Sequence, residues 1–255
     1  MSSNAEARAI DIVLFDLGST LLYFDADWTS ITLEGTDALA RAVRLLGYQL
    51  EFAAFSAEYA QMQFDYYLER DTSWTEIQVE GILRELFAKY GYPTVPIEHI
   101  YAALDAMYAV YQRYWRLEED AVPMLQTVLA AGYHTGLVSN AGYGRDLDRL
   151  LDMAGLRPYL ESIVISAYAG VRKPHPEIFN IALAPFGAVD RSRVVMVGDL
   201  LGADVLGARN AGIGSIWINR RASPRLNQVY FGQVQPDVVV ETLAEIPSRL
   251  REWTH

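Results

Sequence analysis

Residues 12–24, with the sequence IVLFDLGSTLLYF, contain the clearest indication of the architecture of this chain. The apolar run ends at Asp16, and the small polar turn of Gly18, Ser19 and Thr20 follows at once. Successive rather than alternating apolar residues indicate a strand that is covered on both faces, as in a parallel sheet. A carboxylate at the end of such a strand is costly to bury without a partner. Asp16 is therefore the first candidate for a functional residue.

Further apolar segments of strand length follow along the chain. They are HTGLVS (134–139), SIVIS (162–166), RVVMVG (193–198), GSIWIN (214–219) and DVVVE (237–241). Helix-like segments follow or separate them at 121–131, 144–154, 176–186, 203–211 and 242–252. Strands that alternate with helices predict right-handed βαβ units. The predicted fold class is α/β, with a doubly wound, Rossmann-like parallel sheet whose ligands bind beyond the carboxyl ends of the strands.

Residues 24–119 interrupt this alternation. Helix-like stretches occupy 29–46, 55–70, 74–89 and 97–115, and turn-like joints separate them. A block of helices after the first strand cannot belong to the alternation of the sheet. We therefore predict two domains, an α/β core made of residues 1–23 and 120–255, and an inserted all-helical cap made of residues 24–119 that lies above the site.

The composition excludes several classes of function. The 21 basic and 32 acidic residues give a net charge of −11, which disfavours binding to nucleic acid or to anionic membrane surfaces. Cysteine is absent from the sequence, which excludes disulfides and thiolate metal sites. The N-terminal residues do not resemble a signal peptide, and no apolar run approaches the ~18 residues of a membrane span. The predicted location is the cytoplasm, and the sequence does not indicate an oligomeric state.

Polar residues follow several of these strands in a fixed order. The segments are FDLGSTL with Asp16, GLVSNA with Ser139 and Asn140, GVRKPHPEIF with Lys173, and VMVGDLLGADVLGARNAG with Asp199 and Asp204. Their order and spacing resemble the haloacid dehalogenase (HAD) superfamily of hydrolases, most of which are phosphatases. The helical insertion after the first motif resembles the C1-type cap of that superfamily. The resemblance covers nearly the whole chain, and the fourth motif is its most specific part.

The resemblance implies a role for each residue in the hydrolysis of a small phosphorylated metabolite. Asp16 would attack phosphorus and form an aspartyl-phosphate, with Ser139 and Lys173 as its catalytic partners. Mg²⁺ would be held by the set Asp16, Gly18 through its carbonyl, Asp199 and Asp204. The phosphate would be bound by Leu17, Thr20, Ser139, Asn140 and Lys173. Taken singly, these residues have ordinary alternatives: Asp204 as a helix N-cap, Lys173 as a solvated lysine, and Ser139-Asn140 as a turn.

Gly18 departs from the pattern of the family. Phosphatases of the superfamily usually carry a second aspartate at this position, which protonates the leaving oxygen, and general acid–base help is typically worth about 10²–10⁴-fold in rate. A first explanation is a phosphatase that uses another acid, such as Asp25, Asp27 or a metal-bound water. A second is 2-haloacid dehalogenation, although that branch uses no metal and typically lacks an acid corresponding to Asp199. A third is a catalytically weak protein that binds a phosphorylated ligand.

Aromatic residues are frequent in the predicted cap. Tyr101, Tyr108, Tyr111 and Trp115 recur at helical spacing. They indicate either an aromatic-lined pocket for a ring-bearing substrate or packing within the cap, and burial statistics favour packing. Near the other end of the chain, residues 224–236 are predicted to be a long loop.

Overall fold

The computed structural model describes residues 9–253, apart from the side chain of Asp71. The polar segment 1–8, to which the prediction of no signal peptide refers, lies outside the described residues, as do residues 254 and 255. The strands are β1 (Ile12–Phe15), β2 (Leu22–Phe24), β3 (Trp115–Leu117), β4 (His134–Ser139), β5 (Ser162–Ile165), β6 (Val194–Gly198), β7 (Gly214–Ile218) and β8 (Val238–Val240).

A parallel sheet with the strand order β5-β4-β1-β6-β7-β8 forms the centre of the molecule. Strand β1 lies between β4 and β6, so that Phe15 is paired with Leu137 on one side and Val197 on the other. Val13 and Phe15 pack into one hydrophobic core, and Ile12 and Leu14 pack into the core on the opposite face. Both faces of the sheet are therefore covered, which confirms the predicted doubly wound α/β fold.

Helices flank the sheet or form the insertion. They are α1 (Trp28–Leu45), α2 (Phe52–Ser73), α3 (Val79–Lys89), α4 (Ile97–Gln112), α5 (Ala121–Ala130), α6 (Gly144–Met153), α7 (Ser166–Ala169), α8 (Pro176–Leu183), α9 (Leu206–Ala211), α10 (Pro224–Asn227) and α11 (Ile246–Arg251). The predicted loop 224–236 is in part wrong, since it contains α10 and a short 3₁₀ turn at Gln228–Tyr230. No helix in residues 9–253 combines the length and the apolar character that crossing a membrane requires.

Helices α1 to α4 form the insertion and enclose a hydrophobic core of their own, which includes Leu39, Phe55 and Phe87. The predicted helix 97–115 ends three residues early, at Gln112. Residues Trp115–Leu117 instead form β3, which pairs antiparallel with β2. The insertion therefore joins the core through a two-stranded ribbon rather than through helix alone. The domain boundaries at 24 and 119 remain a prediction.

A second junction holds the insertion against the core. The segment 74–78, between α2 and α3, crosses to the loop that follows α7, where Thr75 forms a β-bridge with Val171. The amide of Arg172 donates to the carbonyl of Trp74 at 3.1 Å, and the amide of Glu76 donates to the carbonyl of Gly170 at 3.1 Å. The insertion is thus fixed both at its ends and near its middle.

Candidate active site

The carboxyl ends of three neighbouring strands bring the predicted site residues together. Asp16 follows β1 directly, Ser139 is the last residue of β4, and Asp199 follows β6 directly. Strands β4 and β5 extend the sheet on one side of β1, and β6, β7 and β8 extend it on the other. The strand order thus reverses beside β1, at the switch point where α/β proteins bind ligands. The amide of Asp16 donates to the carbonyl of Val197 at 2.9 Å, which fixes the start of the loop.

Lys173 connects the carboxylates of this edge. Its Nζ lies 2.7 Å from Oδ1 of Asp16 and 2.6 Å from Oδ1 of Asp204, and its side chain is only 1 % exposed. The alternative of a solvated loop lysine is therefore wrong. The side chain of Asn140 donates to the carbonyl of Lys173 and accepts from its amide, each at 2.9 Å. Asn140 thus fixes the backbone from which the ammonium group extends.

Asp204 lies within a π-helical turn, Leu201–Val205, and the regular helix α9 starts only at Leu206 rather than at 203. Its Oδ2 accepts from the amide of Leu200, four residues earlier, at 2.9 Å, and not from an amide that follows it, so the alternative of Asp204 as a helix N-cap is wrong. A Cβ atom on Gly198 would collide with the Asp204 carboxyl group, which leaves glycine as the residue that fits there. Both oxygens of Asp204 are therefore engaged, one with the backbone and one with Lys173.

The loop that carries Asp199 depends on two residues that the sequence patterns did not reveal. The carbonyl of Asp199 accepts from Nε1 of Trp217 at 2.8 Å and from Nδ2 of Asn227 at 3.0 Å. Oδ1 of Asn227 also accepts from the amide of Leu201 at 2.6 Å. Asn227 belongs to α10, inside the segment that was predicted to be a loop. The only signal in the sequence was Ser223-Pro224, which is a typical helix start.

The three aspartates form a cluster that could hold a metal ion. One oxygen from each of Asp16, Asp199 and Asp204 lies within 4.8 Å of the others. Three carboxylates and the ammonium group of Lys173 give a formal charge of −2 in a buried space. Hard oxygen ligands with excess negative charge suit a divalent cation such as Mg²⁺. Because Asp204 already has two partners, Asp16 and Asp199 are the carboxylates best able to bind one.

Burial and mutual repulsion shift the pKa values in the cluster. Burial raises the pKa of Asp16 to about 6, although the neighbouring Lys173 acts in the opposite direction. Burial and the charges of Asp204 and Asp16 raise the pKa of Asp199 well above its ordinary value. Burial alone would lower the pKa of Lys173, but Asp16 and Asp204 outweigh that effect and raise it. The site therefore favours added positive charge, whether proton or cation.

A cavity of about 610 Å³ opens above the cluster. Of the predicted phosphate-binding residues, Leu17, Ser139, Asn140 and Lys173 line it, whereas Thr20 is fully buried and does not. Gly18 also lines the cavity. The remaining lining residues are Ser19, Leu22, Tyr23, Phe24, Trp28, Trp115, Leu147, Leu150, Leu200, Ala203, Arg221, Ser223 and Leu226, together with the three aspartates.

Neither of the carboxylates suggested as a replacement acid lines this cavity. Asp27 is the N-cap of α1, where its Oδ2 accepts from the amide and the hydroxyl of Ser30, each at 2.8 Å. These hydrogen bonds lower its pKa, which makes it a poorer proton donor. Asp25 lies outside the cavity, with an Arg116 Nε atom 3.9 Å from its carboxylate. Neither aspartate is therefore placed to act as the missing acid.

Comparison with known proteins identifies the family of the chain. The sequence model of the haloacid dehalogenase-like hydrolases matches residues 10–212. The chain is 30% identical to pyrimidine 5′-nucleotidase YjjG of Escherichia coli, over 78% of this chain and 85% of that protein. It is 28% identical to a glyceraldehyde 3-phosphate phosphatase of Pyrococcus abyssi, over 82% of this chain and 81% of that protein. A 2-haloacid dehalogenase of Pseudomonas syringae has a similar structure, with a TM-score of 0.66 at 22% identity, over 96% of this chain and all of that one.

Proposed function

This chain belongs to the haloacid dehalogenase-like hydrolases, and within that family we propose that it is a phosphatase that hydrolyses a phosphomonoester through Asp16. The observation that carries the proposal is the pair of contacts from Lys173 to Asp16 and Asp204 beside Asp199. Two relatives with 30% and 28% identity are a nucleotidase and a phosphatase. Both act on phosphate esters according to their names, and both cover most of the chain.

The reaction has two steps. A carboxylate oxygen of Asp16 attacks phosphorus, the P–O bond to the leaving group breaks, and the leaving oxygen takes the bonding electrons. Water then attacks the same phosphorus, which restores the Asp16 carboxylate and releases phosphate. In the first step the carboxylate anion of Asp16 must approach an anionic phosphate, and in both steps negative charge is carried by the phosphate oxygens, so positive charge beside phosphorus lowers the barriers.

Lys173 supplies part of that charge from the chain itself. It is buried and held at Nζ by Asp16 and Asp204, so its ammonium group needs little rearrangement when the phosphate arrives. The hydroxyl of Ser139 and the backbone amides of Leu17 and Asn140 are the donors for the phosphate oxygens. Asn140 contributes a second time, because its side chain fixes the main chain of Lys173.

We further propose that Mg²⁺ is the cofactor, bound by Asp16, Asp199 and the carbonyl of Gly18. When bound, the ion would neutralise charge that develops on the phosphate oxygens. Glycine at position 18 is compatible with this role because the ligand is a backbone oxygen. Asp204 acts through Lys173 rather than as a direct ligand, since both of its oxygens have partners.

Dehalogenation is the second candidate, because Gly18 removes the leaving-group acid, which halide displacement does not need. The charges disfavour it. A 2-haloacid carries a carboxylate, and it would have to approach Asp16, Asp199 and Asp204 with only Lys173 to offset them. Within the described residues, the other cation that lines the cavity, Arg221, is engaged by Glu118 at 2.9 Å.

The test is phosphate release from phenyl phosphate with and without Mg²⁺, together with acid-quench trapping of the phosphorylated protein. We expect release that depends on Mg²⁺ and a phosphorylated species that is stable in acid and destroyed by hydroxylamine. Asp16→Asn should lower the rate by more than about 10⁴-fold and abolish the trapped species.

Two results would contradict the proposal. Chloride release from 2-chloropropionate without phosphate release would indicate a dehalogenase. Tight binding of phosphate analogues without turnover of any ester would indicate a ligand-binding protein.

A further inference from the structure

The space in front of Gly18 is occupied by an indole ring. A Cβ atom built on Gly18 would lie 3.4 Å from Cη2 and 3.9 Å from Cζ3 of Trp115. Trp115 is the first residue of β3 and is paired with Phe24 of β2, so the ribbon holds the ring in place. These are ordinary van der Waals distances, so a side chain at position 18 would start in contact with this ring. The position that usually supplies an acid thus faces an apolar surface instead.

Trp115 is one of three residues that we call the aromatic wall, together with Phe24 and Trp28. The rings of Phe24 and Trp28 are stacked, with centroids 3.9 Å apart and an angle of 14° between their planes. The Trp115 ring meets them nearly edge-on, at 5.4 Å from Phe24 and 6.0 Å from Trp28. All three line the cavity that also contains Asp16 and Lys173. Trp28 is 50% exposed although it is a large apolar residue, which leaves part of the wall uncovered.

The cavity offers few groups that could protonate a leaving oxygen. Among its lining residues in the described part of the chain, the carboxyl groups are those of Asp16, Asp199 and Asp204, and there is no imidazole. Asp16 is the proposed nucleophile, and the other two serve the proposed metal and Lys173. We therefore expect the leaving oxygen to depart as an anion. A phenolate, whose conjugate acid has a pKa of about 10, leaves far more readily than an alkoxide, whose conjugate acid has a much higher pKa, near that of water.

Together these observations define a substrate class. We propose that the substrate is an aryl phosphate, whose ring lies against the aromatic wall and whose phenolate departs without a proton from the protein. The P–O bond breaks, the phenolic oxygen keeps the electron pair, and it takes a proton from water after it has left. This inference rests on the proposed phosphatase activity. It explains jointly why position 18 carries no acid and why an aromatic ring lies against it.

Four test substrates distinguish the effect of an aromatic ring from the effect of the acidity of the leaving group. Phenyl phosphate has a ring and an acidic leaving group, and benzyl phosphate has a ring but an alkoxide leaving group. Acetyl phosphate has an acidic leaving group without a ring, and ethyl phosphate has neither. We expect kcat for the phenyl and acetyl compounds to exceed that for the benzyl and ethyl esters by at least about 100-fold. KM should be lower for the two ring-bearing esters.

Variants of the wall test the binding half of the proposal. Trp28→Leu and Trp115→Leu should each lower the ratio of kcat/KM for phenyl phosphate to that for acetyl phosphate by about 3- to 10-fold, the usual value of one aromatic contact. Trp253→Leu is the matched control, because Trp253 packs against Gly214 at the amino end of β7 and does not line the cavity. It should leave that ratio unchanged. Trp28→Leu is the safer variant, since its ring is half exposed.

The outcomes distinguish this inference from the proposed function. If neither phenyl nor acetyl phosphate is hydrolysed, the phosphatase proposal fails and the inference fails with it. If both are hydrolysed but benzyl phosphate reacts as fast as phenyl phosphate, the protein supplies an acid and only the inference is overturned. A pyrimidine 5′-nucleotide with the same kcat as phenyl phosphate would overturn it in the same way, because its leaving group is an alkoxide. An unchanged ratio in both wall variants would show that the wall is packing alone and would overturn the assignment of a ring-bearing substrate.

Discussion

Two clusters of buried charge in this protein differ in whether the charge is balanced. At the candidate active site, the three carboxylates of Asp16, Asp199 and Asp204 are offset by one ammonium group, that of Lys173, which contacts Asp16 and Asp204, so negative charge remains. At the second junction between insertion and core, the fully buried carboxylate of Glu76 faces a guanidinium group, with Arg172 Nη1 at 3.8 Å. Its oxygens also accept from the hydroxyl of Tyr66 and from that of Ser166, the latter at 2.5 Å.

This difference in charge balance distinguishes a cluster that stabilises the fold from one that could bind a ligand. In the Glu76 cluster a carboxylate is matched by a guanidinium, and its hydroxyl donors come from α2 of the insertion and α7 of the core. Its effect is to hold the two parts together. The cluster of Asp16, Asp199 and Asp204 keeps an excess of negative charge, which a proton or a divalent metal ion would relieve. A buried carboxylate alone is therefore a weak indicator of catalysis, and unbalanced charge at the carboxyl ends of the strands is a stronger one.

The largest effect should come from breaking the balanced cluster. Glu76→Ala removes the carboxylate that faces Arg172 and accepts from the hydroxyl groups of Tyr66 and Ser166. We expect the free energy of unfolding to fall by about 3–5 kcal/mol, as for other buried ion pairs that lose one member. Denaturant unfolding measures the change, and Glu76→Gln, which keeps an acceptor oxygen, should lose less. An Ala variant as stable as the wild type would contradict the structural role.

Breaking the unbalanced cluster should act on the reaction instead. Lys173→Met removes the ammonium group that contacts Asp16 and that, in the proposed reaction, would neutralise charge on the phosphate. We expect kcat for phenyl phosphate to fall by about 10²–10³-fold, the usual loss when one preorganised charge is removed. Steady-state kinetics at saturating Mg²⁺ measure the loss, and a loss below about ten-fold would remove Lys173 from the mechanism.

The chain offers a matched control for this variant. The sequence contains one other lysine, Lys89, which is the last residue of α3 in the insertion and is largely exposed. Lys89→Met makes the same chemical change away from the cavity, so it should leave kcat unchanged. A similar loss in both variants would indicate an effect of net charge rather than a role of Lys173.

Relieving the repulsion at the active site should make the protein more stable. Asp199→Asn removes one carboxylate, whose pKa burial and two neighbouring aspartates raise. In EDTA at pH 8 we expect the free energy of unfolding to rise by about 1–2 kcal/mol, while activity is lost. Mg²⁺ should stabilise the wild type by about 2–3 kcal/mol at 100 times its Kd, and the variant much less. A variant that is less stable than the wild type in EDTA would refute the repulsion.

The smallest effect concerns Asp146, a third buried acid. Its charge balance is intermediate between that of the Glu76 cluster and that of the three-aspartate cluster. Burial raises its pKa to about 7, although the amide of Gln112 donates to Oδ1 at 2.7 Å and the charge of Arg149 acts in the same direction as that hydrogen bond. Because the folded state holds a proton that the unfolded state releases, this group lowers the stability as pH rises from about 4 to about 7, and its effect is constant above that.

Asp146→Asn removes this titration and keeps an acceptor for Gln112. We expect the variant to gain about 1–2 kcal/mol relative to the wild type at pH 8 compared with pH 5. Thermal or denaturant unfolding at the two pH values measures it. Comparison with the wild type is essential, because Asp16 and Asp199 titrate in the same direction in both proteins. A difference that does not change with pH would show that Asp146 ionises normally.

The sequence by itself determined the α/β sheet and the edge of the sheet that carries the candidate site. Each predicted core strand is present within two residues of its predicted ends, because runs of β-branched residues that are apolar on every position suit strands covered on both faces. The polar residues that follow β1, β4 and β6 converge because parallel strands end at a common edge. The order of the motifs was therefore enough to predict that Asp16, Ser139 and Asp199 lie close together.

Only the tertiary structure decided what surrounds that edge. The contacts of Asn227 and Trp217 to Asp199, and the aromatic wall beside Gly18, join segments that are distant in sequence. Local patterns describe which face of an element is apolar, but not which element covers it. The early end of α4, at Gln112, was also decided by contacts between distant segments. Residues 115–117 pair with β2, and that pairing outweighs their helical spacing. Charge balance, too, is a property of neighbours in space, so the sequence alone does not show that the carboxylate of Glu76 is buried and faces Arg172.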